Sequence, residues 1–567
     1  MKLAILNIIP PKFRRRGIWV VFTIFMRALL NFVGLAMLLP VLLLILDTDS
    51  ISTNTYLKRA FEFSSAGSPQ MFVVLVCAAV VIVISLKCAA NLLLYRAERD
   101  YIYELYRYMS RKLYIDYHNR GLQFIKSSNS AVLARNVNVV CLTFVAGILR
   151  PAAGIISEII LFVLLFAALA AYDLTAALLA GVVFVPSIWI YIHTVRARLA
   201  AYGQEENAEQ RTKARNVIDT YRGYADIEIN NAFPEMLAKF DRSMERIVGM
   251  RVRNATVSTL PQMFTEIALA LGMSAMVIIN LGLEGDRMRI LFGIFAVAAL
   301  RIMPSIRNIM SSWASLRYNK YTIQIIQDAG IDKADTTVEK SAERFNFRNA
   351  IKVDNLSFHF DDDPHKVIEN LSITIHKGER LGIRGRSGSG KTTLFNLLLG
   401  FYEPTGGTIY IDNEPLSSVS RRKWQNTIGY VSQNVFLIDG SFIDNITLGT
   451  PADKVDMERL ERAIDMADLR EFIDSLPEGV KTGVGECGNR LSGGQRQRIG
   501  IARALYKQAD ILFFDEATSS LDNSTEHNIN EAIERLSREN SELTIVIIAH
   551  RESSLDWCSR TINIDEL

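Results

Sequence analysis

Two patterns of apolar and polar positions divide the chain. Before about residue 330, apolar runs are separated by charged stretches that keep a helical period. After about residue 345, short alternating runs are bounded by turns. The first apolar run, Ile18 to Leu46, follows the basic cluster Lys12-Phe13-Arg14-Arg15-Arg16, which belongs on the cytoplasmic side of a membrane. A second goes from Met71 to Leu94, and both exceed the ~20 residues a helix needs to cross a bilayer. Between them, polar Asp47 to Gln70 contains an amphipathic piece, Tyr56 to Phe63, expected outside, either on the membrane surface or as an ordinary loop.

Beyond Leu94 the pattern stays helical but turns charged. No Pro or Gly interrupts Asn91 to Asn119, so the second spanning helix is expected to continue into the cytoplasm until Asn119-Arg120-Gly121. The chain returns through the mixed stretch Val132 to Arg150 and the apolar Gly154 to Tyr172, turns at Tyr172-Asp173, and crosses back over Leu174 to Ile192. A second cytoplasmic excursion, Val195 to Arg253, turns at its tip around Tyr221 to Ile229. Two more runs complete six expected spans at approximately residues 18–46, 71–94, 145–171, 174–194, 261–281 and 289–310, with both ends inside. Residues 1–326 then form a transmembrane domain, 327–344 a polar linker, and 345–567 a soluble domain.

Composition refines this only slightly. The 567 residues are 49% hydrophobic with 22% charged, and these averages conceal the split between the two halves. A formal net charge of +3 argues against nucleic acid as a partner. Basic and tyrosine residues alternate between Tyr95 and Lys112, which is also the composition of a helix leaving a membrane. Five scattered cysteines form no disulfide framework or metal-ligand spacing. The amino terminus is not read as a cleaved signal peptide. Arg27, Lys87, Arg150, Glu158, Glu266 and Arg301 are charges on otherwise apolar helices, expected to face a cavity, pair or snorkel. Arg27 and Arg301 lie deepest and are candidate contacts for an anionic substrate group, with internal pairing as the alternative. Pro40, Pro186 and Pro304 are expected to bend or break their helices.

The candidate chemistry is in the soluble half. Strand-like Leu381 to Arg384 enters Gly385-Arg386-Ser387-Gly388-Ser389-Gly390-Lys391-Thr392, which fits G-x-x-x-x-G-K-[ST] with a helix following. Glycines let backbone N–H groups wrap phosphates, Lys391 reaches the β- and γ-phosphates, and the Thr392 hydroxyl suits Mg²⁺. The apolar strand Ile511 to Phe514 ends in Asp515-Glu516, carboxylates suited to holding Mg²⁺ and polarising water. Gln433 follows a strand at Ile428 to Val431, and His550 follows one at Ile545 to Ile548, both on the expected ligand side. Leu491-Ser492-Gly493-Gly494-Gln495, ahead of a helix expected over Gln497 to Leu505, offers a second phosphate-binding surface.

Together Gly385 to Thr392, Gln433, Leu491 to Gln495, Asp515-Glu516, Ser520-Leu521-Asp522 and His550 resemble the full ATP-binding-cassette motif set in the family's order. Six crossings ahead of it resemble an exporter-type half-transporter. Gly34 to Pro40, Gly223 to Glu228, Arg301 to Ile309 and Asp515 to Glu526 are most similar to bacterial flippases of lipid-linked oligosaccharides and related polysaccharide exporters. The resemblance implies a multidomain membrane protein: a six-helix exporter domain with long cytoplasmic extensions, then an α/β P-loop cassette. It implies that Gly385 to Lys391, Thr392 and Thr393 bind ATP, with Thr392, Gln433 and Asp515 around Mg²⁺. Glu516 would be the catalytic carboxylate, His550 the switch histidine, and Gln433 the sensing glutamine. Leu491, Ser492, Gly493, Gly494 and Gln495 would close over ATP held by another cassette, with Ser520 to Asp522 crossing that interface. Gly483 to Glu486, Tyr117 to Gln123 and Tyr221 to Ile229 would couple cassette to membrane domain. The adenine-stacking position, usually tyrosine, is Phe360 here, and stacking needs only the ring.

The resemblance further implies a homodimer, or a heterodimer with a related chain, in the bacterial cytoplasmic membrane, exporting an amphipathic substrate. A lipid-linked oligosaccharide or glycolipid is preferred. Peptides, hydrophobic drugs or other lipids remain alternatives, as does an ATP-gated signalling or structural module without net transport.

Overall fold

A computed structural model describes residues 8–37, 41, 55–64, 68–172, 174–279, 285–331, 343–360, 363–386, 388–417, 420–517, 522–549 and 555–566. Pro40, the turn at Asp173, the turn at 281–284 and most of the 327–344 linker lie outside them. The chain divides into two compact units, residues 1–120 with 124–337, and residues 121–123 with 338–567.

The first unit is helical. Its long helices are α1 (Pro11–Ala36), α2 (Pro69–Asn119), α3 (Arg150–Tyr172), α4 (Leu174–Arg222), α5 (Phe233–Ile279) and α6 (Gly285–Tyr318). Three helical stretches are long and apolar enough to cross a membrane among the described residues: Pro11–Ala36, Pro69–Asn119 and Ser130–Ala171. On α2, Val74, Val81, Ile82, Leu86, Leu92 and Leu93 are exposed, the arrangement expected of a lipid-facing helix. The same helix runs unbroken for 51 residues, because nothing between Asn91 and Asn119 disturbs its backbone hydrogen bonds. Ser68 caps it by accepting from the Met71 amide, and Pro69 follows in the first turn, where its missing N–H costs no bond. The amphipathic segment becomes the helix Thr55–Ser64, with Phe61 edge-on to Phe72 at 5.2 Å.

Polar pairs join α1 to α2. Asn91 donates to Asn31 at 3.0 Å, Arg27 pairs with Glu98 at 2.5 Å, and Arg16 pairs with Glu104 at 2.6 Å. Helix α4 passes through Pro186, α5 through Pro261 and α6 through Pro304 without ending. The mixed stretch before α3 contains two π-helical turns, Asn136–Val140 and Val145–Leu149. Close packing near the cytoplasmic ends depends on small residues. A Cβ on Gly203 of α4 would lie 1.8 Å from the Tyr318 carbonyl of α6, and one on Gly147 would lie 2.5 Å from Asn319. Nearby, Glu206 of α4 accepts from Arg251 of α5 at 2.8 Å and from the Tyr318 hydroxyl of α6, tying three helices together. Short helix Tyr224–Ile229 follows Gly223 at the tip of the α4–α5 excursion.

The second unit is α/β. Its strands are β1 (Ala350–Phe360), β2 (Asp363–His376), β3 (Arg380–Arg384), β4 (Gly406–Ile411), β5 (Glu414–Pro415), β6 (Ile428–Val431), β7 (Ile511–Asp515), β8 (Thr544–Ile548) and β9 (Arg560–Asn563). An antiparallel sheet runs β2-β1-β4-β5 and a parallel sheet runs β6-β7-β8-β3-β9. Alternate residues of β1, Ile351, Val353, Leu356 and Phe358, enter the core, with bulges shifting the period after Val353. Helix α7 (Lys391–Leu398) covers the parallel sheet, where Phe395 meets Phe513 edge-on at 5.3 Å. Both strands β7 and β8 are fully buried, which accounts for their continuous apolar runs.

Candidate functional site

The parallel sheet places its chemistry at the carboxyl ends of its strands. Strand β3 lies between β8 and β9, and the loop leaving it leads directly into α7. Gly388 and Gly390 adopt φ of 86° and 89°, a left-handed backbone that other residues enter at a cost. A Cβ on Gly390 would also approach the Val367 carbonyl to 3.0 Å. Lys391, only 6% exposed, turns its ammonium back over the loop and donates to the Gly385 and Arg386 carbonyls at 2.8 and 2.7 Å. Ser389 Oγ is buried without a hydrogen-bond partner. A cation above a glycine turn, an orphaned hydroxyl and a helix amino terminus together fit an anionic phosphate. Thr392 is exposed at the start of α7 and Thr393 is half-buried beside it, while Ser387 lies outside the described residues.

At the end of β7, Asp515 is 3% exposed and Glu516 takes φ of 51°, a strained position for a residue with a side chain. The Glu516 amide donates to the Ile548 carbonyl at 3.0 Å, fixing this turn against β8. Gln433, just beyond β6, donates from Nε2 to Glu516 Oε2 at 2.6 Å. The residues expected to sense and to polarise water are thus in direct contact. Tyr430 in β6 has its hydroxyl pushed up by burial and by the Asp515 charge. His550, Ser520 and Leu521 lie outside the described residues.

The Leu491–Gln495 stretch differs from its sequence expectation in one respect. Its glycines are the first residues of helix α8 (Gly493–Tyr506) and do not precede it. Ser492 is the N-cap: its Oγ accepts from the Gln495 amide at 3.2 Å, while Gln495 Oε1 accepts from the Ser492 amide at 2.8 Å. This reciprocal box tolerates two poor helix formers in the first turn and leaves their amides at the positive helix end. Leu491 is buried, and Arg496 donates to its carbonyl at 3.0 Å. Among the described residues, the side-chain and capping hydrogen bonds of Leu491–Gln495 stay within Gly488–Arg496, and none reaches the Lys391 loop. Asp522 caps helix α9 (Asn523–Glu539) by accepting from the Thr525 amide at 3.0 Å, and hydrogen bonds from the Ser524 hydroxyl and from Thr525 hold its carboxyl below the usual range.

Phe360 packs edge-on against Phe358 at 5.1 Å and Tyr402 at 5.9 Å, which orients the expected stacking ring. Sequence reasoning missed Asp565. Its Oδ2 accepts from the Arg386 amide at 2.8 Å, and neighbouring Ile564 abuts Gly385. No local pattern marks a contact made across 179 residues.

In the membrane unit, Arg27 is 6% exposed, bound by Glu98 and stacked over the Tyr95 ring at 4.3 Å. This is the internal-pair arrangement, and it leaves the guanidinium little surface for a cargo group. Arg301 lies on α6, with its side chain outside the described residues.

Residues 368–519 match the ABC transporter family. The chain is 31% identical over 387 residues to the ATP-dependent lipid A-core flippase of Cupriavidus metallidurans, covering 68% of this chain and 64% of that protein. It is 33% identical over 384 residues to the protein of the same name from Bordetella avium, covering 67% and 64%. The alignments therefore span somewhat less than two thirds of these relatives. A solved bacterial Atm1-family ABC exporter with ATP bound superimposes with a TM-score of 0.77 over 97% of this chain and 93% of that one, at 20% identity. Fold and site define an ABC exporter architecture: a membrane unit followed by a P-loop nucleotide-binding domain. The chain is a multi-pass membrane protein with that domain in the cytoplasm, similar in sequence to the lipid A-core flippases and in fold to an Atm1-family exporter.

Proposed function

We propose that this protein is an ATP-driven exporter or flippase working as a cassette dimer, and that its cargo is a lipid-linked oligosaccharide or glycolipid. The observation that carries the ATPase reading is the Gln433–Glu516 hydrogen bond at the carboxyl end of the parallel sheet that also carries the glycine loop. A carboxylate held in a strained turn by a neighbouring amide is prepared to orient water. The relatives named as lipid A-core flippases support a lipid-borne cargo. Six crossings, residues 1–326 as the transmembrane domain and 345–567 as the cassette belong to the same reading.

Lys391 would exchange the Gly385 and Arg386 carbonyls for phosphate oxygens. Ser389 Oγ would gain the partner it lacks. Phe360 would stack on adenine. Thr392, Gln433 and Asp515 would hold Mg²⁺, which when bound neutralises phosphate charge. Ser492 and the α8 amino terminus would close over nucleotide held by a second copy, with Asp522 at that interface, and His550 would contact the terminal phosphate. Glu516 would orient the attacking water and accept its proton. Closure would draw the cytoplasmic helix tips together and turn the cavity outward. Arg301 remains the candidate contact for an anionic head group.

A Glu516→Gln protein in lipid nanodiscs should bind ATP, form a stable ATP-dependent dimer and lose about 10²–10⁴-fold of its ATPase rate. Near-normal turnover would reject the assignment. ATP-dependent movement of a polyprenyl-diphosphate glycan or a lipid A-like glycolipid in liposomes tests the cargo.

A further inference from the structure

The membrane unit holds a carboxylate that this cycle does not use. Glu158 lies on α3, inside the apolar run Gly154 to Tyr172. Ser305 Oγ donates to its Oε2 at 2.7 Å and Asn308 Nδ2 donates to its Oε1 at 2.9 Å. Both donors are neutral, and both project from α6. Ser305 is fully buried, and Leu161, Ile302 and Ile306 beside it are buried apolar residues. Among the described residues, no lysine, arginine or histidine nitrogen pairs with Glu158, in contrast to Glu98, which is bound by Arg27.

A carboxylate in a membrane span is costly, and two neutral hydrogen bonds do not cancel its charge. The two donors fix both oxygens while leaving further lone pairs free, since a carboxylate accepts at about four sites. Glu158 is only half-buried and Asn308 is exposed, so those lone pairs are within reach of a ligand. A compact ammonium with three donors suits them. A hard divalent cation requires about six oxygen ligands, and no metal-holding group of acidic, histidine or cysteine side chains occurs among the described residues.

We propose that Glu158, held by Ser305 and Asn308, is the recognition site for a primary ammonium group on the transported amphiphile. The inference rests on the exporter reading and adds a cationic feature to its cargo.

Dodecylamine is the probe, with dodecanol as its uncharged counterpart. The full chain in nanodiscs is treated with dicyclohexylcarbodiimide, which adds to a protonated carboxyl group and rearranges to an N-acylurea. Labelling at Glu158 is followed by peptide mass spectrometry. Dodecylamine should slow it about tenfold or more, the effect an adjacent opposite charge has on a carboxyl's protonation. Dodecanol should leave the rate unchanged. Equal slowing by both, or by neither, would overturn the proposal. So would labelling that is absent without amine but appears in Arg301→Gln, because the chain would then supply its own cation. Labelling needs no turnover, so an absence of ATPase activity would count against the exporter reading alone.

Discussion

Single contacts in this chain link positions that no local pattern joins. Asp565 holds the amide of Arg386 at the mouth of the glycine loop. Removing that acceptor frees the loop's entry without touching any group that reaches phosphate. Asp565→Ala should therefore raise the KM for ATP by about 3- to 10-fold, the worth of one hydrogen bond, with a smaller change in kcat. Steady-state ATPase titrations measure the split, and an unchanged KM would show that the loop holds its shape alone. Arg27 and Glu98 are a second case. Each is less than a tenth exposed, so Glu98→Gln leaves an uncompensated guanidinium. The expected loss is about 3–5 kcal/mol, with a smaller loss when Arg27→Gln is added, because the orphaned charge then disappears. Thermal unfolding in one detergent compares the two variants. The sequence marks Arg27 as a charge on a span but conceals its partner Glu98, 71 positions away.

Elements were legible where one period persisted. The 51-residue α2 follows from an unbroken run of helix-compatible residues, and β7 and β8 follow from apolar runs with turns beside them. The Lys391 loop and the Asp515-Glu516 strand end were legible because their spacing is fixed by phosphate geometry. Two π turns before α3 were not, since one extra residue in a turn leaves composition unchanged. The start of α8 lies earlier than the glycines suggest, because they disfavour helix, yet the spacing Ser492-x-x-Gln495 is itself the signature of the capping box that overrides them. Helix contacts were equally hidden. Gly203 reads as an ordinary helix glycine, yet it lets α4 meet the Tyr318 carbonyl of α6. Gly203→Ala should separate these helices and cost about 1–3 kcal/mol or more, although alanine is the better helix former. A variant as stable as the parent by thermal unfolding would show that α6 yields without strain.

The whole molecule poses a question of valence. The chain contains one glycine loop and one capped glycine pair, and among the described residues no hydrogen bond joins them. If each phosphate site is completed by a second copy, the two halves should complement in trans. Lys391→Ala disables the loop of its own chain, and Ser492→Arg disables the surface offered to the partner. In a two-fold dimer containing one chain of each kind, one site receives both defects and the other receives neither. Either variant alone should be inactive. Equal mixing during assembly should restore roughly a quarter of the parental ATPase, because half of the dimers are mixed and each has one sound site of two. A requirement for both sites in every cycle would lower that value but would leave about a quarter of sites able to close over ATP. If the chain completed its own site, mixing would restore neither hydrolysis nor closure over ATP, because each chain would carry a defect within the site it forms.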